Sequence, residues 1–392
     1  MRLRFASSAA AFAVFLVAWA LLHYGFYARD QIVDTPIYER YGEAVTAGQV
    51  PYRDFPVEYP PAALPVFVLP ALGEGGSETY ERRFEALLAM LGVACVLLVA
   101  ATSSSFWAPL FVAAAPLLLG SVVLSRFDLW PAALTAAALA LLAGGRSRLG
   151  AGTLGLATAA KLYPAVIVPV ALAHVWRVRG RREALLCAGA FAAVIAVIVL
   201  PFAVIAPGGV WDAFWRQAGR PLQIESLGAG VLLAAHHLFG LELTMESSHG
   251  SQNLAGGAAG ALAVLSTVLQ VGALAAVWVW HARGPATRDR LLLASAAAVC
   301  AFVAFGKVLS PQFLIWLIPL VPLVRGRRGL AASALLAAAL VLTQLWFPFR
   351  YWELALEFDT AASWLVLARD LMLVALTVLL TARVRREPSR SG

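Results

Sequence analysis

Two lysines stand apart in a chain that carries 28 arginines: Lys161 in "KLYP" and Lys307 in "KVLSPQ", each with a proline a few residues on. Both fall near the predicted outer ends of apolar helices. An ammonium at that depth costs about 2.5–3.5 kcal/mol on insertion scales, so each is expected to have a partner. A phosphate oxygen suits a compact cation; a lysine stem snorkelling from a helix end is the alternative. Carboxylates accompany the lysines. Asp34, in "DTPIYERYG", has the chemistry of a general base, or of a helix N-cap with Pro36 in the first turn. "SRFD", Ser125 to Asp128, offers Arg126 and Asp128, either as site residues or as a local ion pair capping the next helix. "YRDFPVEYPP", residues 52–61, sets Arg53, Asp54 and Glu58 among Tyr52, Phe55 and Tyr59; Glu58 is its main candidate acid, and Arg53 can pair with Asp54. Arg369 and Asp370 interrupt the last apolar run, where an interhelical structural role is expected.

The elements that must hold these residues are membrane helices. The chain has 392 residues, 61% hydrophobic and 13% charged, which no soluble surface requires. Apolar runs fall near 5–27, 84–102, 106–123, 128–143, 150–176, 184–206, 254–280, 291–305, 311–324, 330–349 and 362–382. Several reach the roughly 20 residues that span a bilayer. The first resembles a signal peptide but lacks a clear cleavage site, so it reads as a retained helix. The net charge of +8 comes from arginines scattered in short loops, which argues against nucleic acid as a partner. Cys95, Cys187 and Cys300 lie inside apolar segments and read as space-fillers; the six histidines show no ligand spacing.

Orientation follows from the arginine-rich loops, which stay cytoplasmic. The clusters are Arg2/Arg4, Arg146/Arg148, Arg177 to Arg182, Arg283 to Arg290, Arg325 to Arg328 and the tail from Arg383; they hold 18 of the 30 basic residues and three acidic ones. Arg148 and Arg177 both require the cytoplasm, yet one apolar run separates them. A turn at Lys161–Pro164, where proline removes a backbone donor, splits that run into two short helices and restores parity. The result is an all-α polytopic protein with about twelve membrane helices (ten to thirteen) and both termini inside. In a rival topology 61–72 crosses and 150–176 is one span; it leaves Arg146 and Arg148 outside, so 61–72 is read as juxtamembrane or re-entrant.

The chain then reads as one integral membrane domain, 1–392: a helical module 1–206 with the outer loop 28–83, a second outer loop 207–253, helices 254–382 and a basic tail 383–392. Trp211, Phe214 and Trp215 open the second loop as a helix lying in the interface. Asp34, Glu58, Arg126, Asp128, Lys161 and Lys307 come from separate segments, and this topology brings all six to the outer face. A site there suits a substrate with a lipid tail, a phosphate and a water-exposed head.

"DTPIYERYGEAVTAGQVPYRDFPVEYPPAALPVFVLPAL" resembles the first outer loop of GT-C type membrane glycosyltransferases. It is most similar to glycosyltransferase family 87, actinobacterial polyprenyl-phosphate-mannose-dependent α-mannosyltransferases, through Asp34, Tyr38, Gly42, Gly48, Pro51–Tyr52 and Tyr59–Pro61. "GLATAAKLYPAVIVPV" resembles the family's small-residue helix followed by Lys-x-x-Pro. "SQNLAG", with Gln252 and Asn253, is similar to its polar stretch before the middle helices, and "SPQFLIWLIPL", with Gln312, to its Ser-x-Gln/His-aromatic segment. "SRFD" is similar to the second outer loop of protein-O-mannosyltransferase relatives, with Asp128 sooner after the arginine than in that pattern.

The resemblance implies a bacterial plasma-membrane enzyme, its site facing outward. It would move a hexose, mannose by the family's pattern, from a polyprenyl-phosphate sugar to a glycan or glycolipid acceptor. Asp34 is then the base, Lys161, Lys307 and Arg126 meet the phosphate charge, and Tyr52, Glu58 and Tyr59 shape the sugar pocket. A one-step displacement inverts the anomeric configuration. No cofactor is expected; Asp34, Glu58 and Asp128 have the chemistry to ligate a divalent ion, but no spacing demands one. The rival readings are a transporter or lipid-linked-sugar flippase, which usually carries charges at the midplane and related halves, and a non-catalytic scaffold.

Overall fold

The computed structural model describes residues 2–382, with side chains from residue 8 onward, so the basic tail 383–392 and the Arg2 and Arg4 side chains lie outside the described residues. Helix lengths follow hydropathy. After the apolar α1 (Arg2–Leu21) come two short outer helices, α2 (Thr35–Thr46) and α3 (Leu64–Ala71), then the long α4 (Ser77–Thr102). The next segments are α5 (Trp107–Leu119), the single turn α6 (Val122–Ser125), α7 (Leu129–Ala143), α8 (Ser147–Ala160), α9 (Val168–Arg179) and α10 (Arg181–Ile205). Residues 207–253, expected as an outer loop opened by a helix at Trp211–Trp215, do begin with that helix, α11 (Pro207–Ala218), but the remainder is also structured: β1 (Leu222–Gln223), α12 (Leu227–Phe239), β2 (Thr244–Ser248) and, running two residues past that boundary, β3 (Ser251–Ala255). The chain ends in α13 (Gly257–Arg283), α14 (Arg288–Ala304), α15 (Phe313–Leu317), α16 (Gly326–Trp346), α17 (Tyr351–Glu357) and α18 (Thr360–Thr381).

Among the described residues five helices, α4, α10, α13, α16 and α18, are long and apolar enough to cross a bilayer, and six shorter apolar helical segments accompany them. The protein is a polytopic, mostly helical membrane protein. One small sheet departs from the all-α expectation: three antiparallel strands in the order β1-β3-β2. Its hairpin turns at His249–Gly250, both with positive φ (54° and 68°), the conformation that matches strand twist in a two-residue turn. α12 escaped the sequence reading because thirteen residues fall short of a span; it packs against α18 and α13.

The break at Lys161 occurs where the arginine loops require it. α8 stops at Ala160, Lys161 is extended, and Pro164 sits in the 3-10 turn that leads into α9. α9 then returns. Arg148, at the start of α8, pairs with Glu183 at 2.7 Å, and Gly145 faces the Arg179 guanidinium, so both ends of the hairpin lie at one end of the bundle. α8 packs closely on α10 through Gly155, where a side chain would collide with the Phe191 backbone. The other basic loops gather at the same end. Arg177 donates to the Ala282 carbonyl (3.0 Å), Arg325 pairs with Asp289 (2.9 Å) and bonds Ser104, and Arg328 reaches the Ala382 carbonyl. α3 stays at the opposite end: Trp130 Nε1 donates to the Ala62 carbonyl (2.9 Å), and Arg83 to that of Leu72 (2.8 Å).

Candidate active site

The end opposite the arginine loops holds a cavity of about 730 Å³. Its walls come from the loop before α2, the 52–61 stretch, the α6–α7 and α8–α9 junctions, α11, the β1 bend, the β-hairpin and the α14–α15 loop. The 52–61 stretch is a tight structure in its own right. Tyr52 has φ +67° and its hydroxyl donates to the Tyr59 carbonyl at 2.5 Å. Asp54 accepts from the Val50 N–H (2.7 Å) and pairs with Arg53 (2.8 Å), the local pairing expected for these two exposed residues. That closure leaves Glu58 and Tyr59 to face the cavity.

Of the residues singled out in the sequence, Asp34, Tyr52, Glu58, Tyr59, Arg126, Lys161, Gln252, Lys307 and Gln312 line the cavity. Tyr38, Asp128 and Asn253 do not. Tyr38 is buried in an aromatic cluster, stacked on Phe67 (4.5 Å), and touches the site through its hydroxyl, 3.3 Å from an Asp34 carboxylate oxygen. Asn253 points inward, its amide donating to the carbonyls of Ser248 (2.9 Å) and Ser251 (3.1 Å). Strand alternation decides this, because Gln252 and Asn253 are neighbours on β3 and face opposite sides.

The ion pairs are not the local ones that "SRFD" suggests. Asp34 occupies an N-cap position without capping; its carboxylate pairs with Arg126, which also donates to the Ile32 carbonyl at 3.1 Å. Asp128, 1% exposed, accepts from Lys161 Nζ and from Trp316 Nε1, both at 2.6 Å. The ammonium lies over the rings of Phe127 (4.6 Å) and Trp316 (5.3 Å), and Trp316 is sandwiched between Tyr163 (4.2 Å) and Phe313 (4.1 Å). Two cations, Arg126 and Lys161, are therefore neutralised within the protein.

Two other cavity cations make no ion pair among the described residues: Lys307, which donates to the Ala218 carbonyl at 2.9 Å, and Arg220, whose Nε is buried without a hydrogen-bond partner. Arg220 was missed in the sequence because it lies just past α11 in a stretch with no periodic signal. The same holds for Gln223 and Glu225, and Tyr351, at the start of the seven-residue α17, was missed because so short a helix carries little periodicity. Burial raises the Glu225 carboxyl to about 7, against the pull of Arg369, Arg126 and Arg220, and lowers the Arg126 guanidinium to about 10, where it stays charged at neutral pH. No cluster of three or more His, Cys, Asp or Glu suited to a metal ion assembles among the described residues.

A space of this kind, with fixed cations, an exposed carboxylate and aromatic walls, can hold a phosphate and a polar ring together and take up a proton. No curated protein matches the chain. The sequence model of glycosyltransferase family 87 matches residues 57–311. The matched span contains Glu58, Tyr59, Arg126, Asp128, Lys161, Gln252, Asn253 and Lys307, and begins after Asp34, Tyr38 and Tyr52. Matched over well more than half of its length, with most of the cavity wall inside the match, this membrane protein belongs to glycosyltransferase family 87.

Proposed function

We propose that the cavity transfers a hexose, mannose first among them, from a polyprenyl-phosphate donor to a glycan or glycolipid acceptor at the outer face of a bacterial plasma membrane. The observation that carries this reading is the sharing of one aromatic-walled space by the Asp34 carboxylate and two cations without carboxylate partners among the described residues, Arg220 and Lys307. The acceptor hydroxyl attacks the anomeric carbon and Asp34 takes its proton. The bond from that carbon to the phosphate oxygen breaks through an oxocarbenium-like state, and its electron pair leaves with the phosphate. Lys307 and Arg220 meet the charge that grows there, a role that Lys161 and Arg126 are less free to play. Tyr52, Glu58 and Tyr59 shape the sugar pocket, with Gln252 and Gln312 as polar wall. Direct displacement inverts the configuration, so a β-linked donor yields an α-linked product.

Twelve crossings with both termini cytoplasmic accompany this reading, as one integral domain. The clustering of the described arginine loops at the end away from the cavity supports that orientation. The test is transfer by the purified protein in nanodiscs, from labelled polyprenyl-phosphate-mannose to candidate acceptors. Asp34→Asn is expected to lower turnover about 10²–10⁴-fold with donor binding kept; full turnover in that variant removes Asp34 from the mechanism.

A further inference from the structure

Glu225 lies in the bend between β1 and α12, 2% exposed, and lines the cavity. One of its carboxyl oxygens accepts from the Gln223 amide; the other, Oε1, is buried with no hydrogen-bond partner among the described residues. A buried acceptor left unmade is costly, and a native site that keeps one is built to receive a donor. The surroundings are also built. Gln223, itself 3% exposed, donates to Ser310 Oγ at 2.9 Å, and Ser310 returns a bond of 3.3 Å to the Gln223 side-chain oxygen. Arg126, Arg220 and Tyr351 line the same cavity within electrostatic reach of Glu225, and Arg126 Nε has no hydrogen-bond partner among the described residues.

The bend is pinned from behind. Arg369 on α18, fully buried, donates to the Glu225 main-chain carbonyl at 2.6 Å, and its charge is met by Asp370 at 2.6 Å. This accounts for the charged pair inside the last helix: it anchors the segment that presents Glu225. A carboxyl among guanidinium, amide and hydroxyl groups does not suit a second anion. It suits a neutral polyol, whose neighbouring hydroxyls donate to the carboxyl and accept from the guanidinium. The phosphate then belongs toward Lys307 and Arg220, which lie within electrostatic reach of each other.

Resting on the transfer reaction proposed above, we infer that Glu225, Gln223, Ser310 and Arg126 form a hexose-recognition corner, in which Glu225 grips sugar hydroxyls and sets which hexose is accepted. The experiment uses the full-length protein in nanodiscs and water-soluble short-chain prenyl phosphates bearing mannose, glucose or galactose, beside the sugar-free prenyl phosphate. Binding is read by quenching of intrinsic tryptophan emission, since Trp316 and Trp352 line the cavity. Wild type is expected to prefer one hexose by about 30-fold or more, on the scale of a buried charged hydrogen bond made or lost. Glu225→Ala is expected to bring the three within about 3-fold of one another and leave the sugar-free affinity unchanged. Glu225→Gln, which keeps the side-chain volume, is expected to fall between. The same preference in both variants as in wild type overturns the inference, as does a wild type with no preference. An equal loss for the sugar-free probe in both variants also overturns it, because Glu225 would then act only through the fold. If wild type binds none of the prenyl phosphates, the donor class proposed above is what fails.

Discussion

Replacing Lys161 with Met should destabilise the protein sharply, and restoring neutrality at Asp128 should recover most of the loss. The pair spans 2.6 Å with side chains 14% and 1% exposed. At an effective dielectric of about 20, a contact of 2.6 Å is worth about 6 kcal/mol of attraction. That offsets a desolvation cost of several kcal/mol for each ion, so the intact pair nearly breaks even. Removing one partner leaves the cost without the attraction. Asp128 would keep only the Trp316 N–H, and the expected loss is about 3–5 kcal/mol. Asp128→Asn combined with Lys161→Met leaves an amide oxygen for Trp316 and removes both charges of the pair, so the double variant should lie within about 1 kcal/mol of wild type. Unfolding in detergent, followed by tryptophan emission, measures all four corners of this cycle. Additive losses, or a Lys161→Met protein that unfolds like wild type, would refute the argument that the ammonium's first task is to neutralise Asp128. The double variant's turnover then tells whether Lys161 also serves the donor phosphate.

Lys307→Ala and Arg220→Ala should each raise the donor KM about tenfold, as expected on losing one charge-assisted bond, and leave the acceptor KM unchanged in initial-rate measurements. Glu225→Gln should alter stability in a pH-dependent way. Burial raises this carboxyl from its ordinary 4.5 to about 7, so the folded state holds the proton more tightly than the unfolded one. Stability therefore falls as pH rises between those values. The variant should be more stable than wild type by up to ~3 kcal/mol at pH 8, with the difference gone near pH 4, as followed by thermal unfolding across pH. Gly209→Ala should loosen the site, because a methyl group there collides with the Tyr52 carbonyl oxygen. Faster proteolysis within 52–61 and lower activity are the expected signs, and wild-type behaviour in both would show that α11 can shift without cost.

The parts of the fold that could be read from the sequence are those governed by sums over neighbouring residues. Spanning helices such as α4, α10, α13, α16 and α18 follow from transfer free energies added along about 20 positions. The break at Lys161 followed from one proline and from the cytoplasmic preference of Arg148 and Arg177. Segments with weak local signals were misjudged. α12 was too short to register as a span, and the β-hairpin has a polar face that resembles a loop. Within the site, Lys161, Lys307 and Asp34 were recognisable because a charge beside an apolar run is expensive. Arg220, Gln223, Glu225 and Tyr351 were not, since their meaning depends on what stands opposite them.

The amino-acid sequence by itself determined a polytopic helical membrane protein, a common end for the charges around its cavity, and a resemblance to a glycosyltransferase family that the family match then established. Only the tertiary structure decided the pairings: Asp34 with Arg126 and Asp128 with Lys161, instead of the local pair that "SRFD" suggests. It also decided that Gln252 and not Asn253 faces the cavity, and that Arg369 anchors the bend bearing Glu225. The physical reason is range. Hydropathy and turn chemistry are settled among adjacent residues, whereas ionic and hydrogen-bond partners are chosen by how helices distant in sequence pack together, and no local pattern encodes that choice.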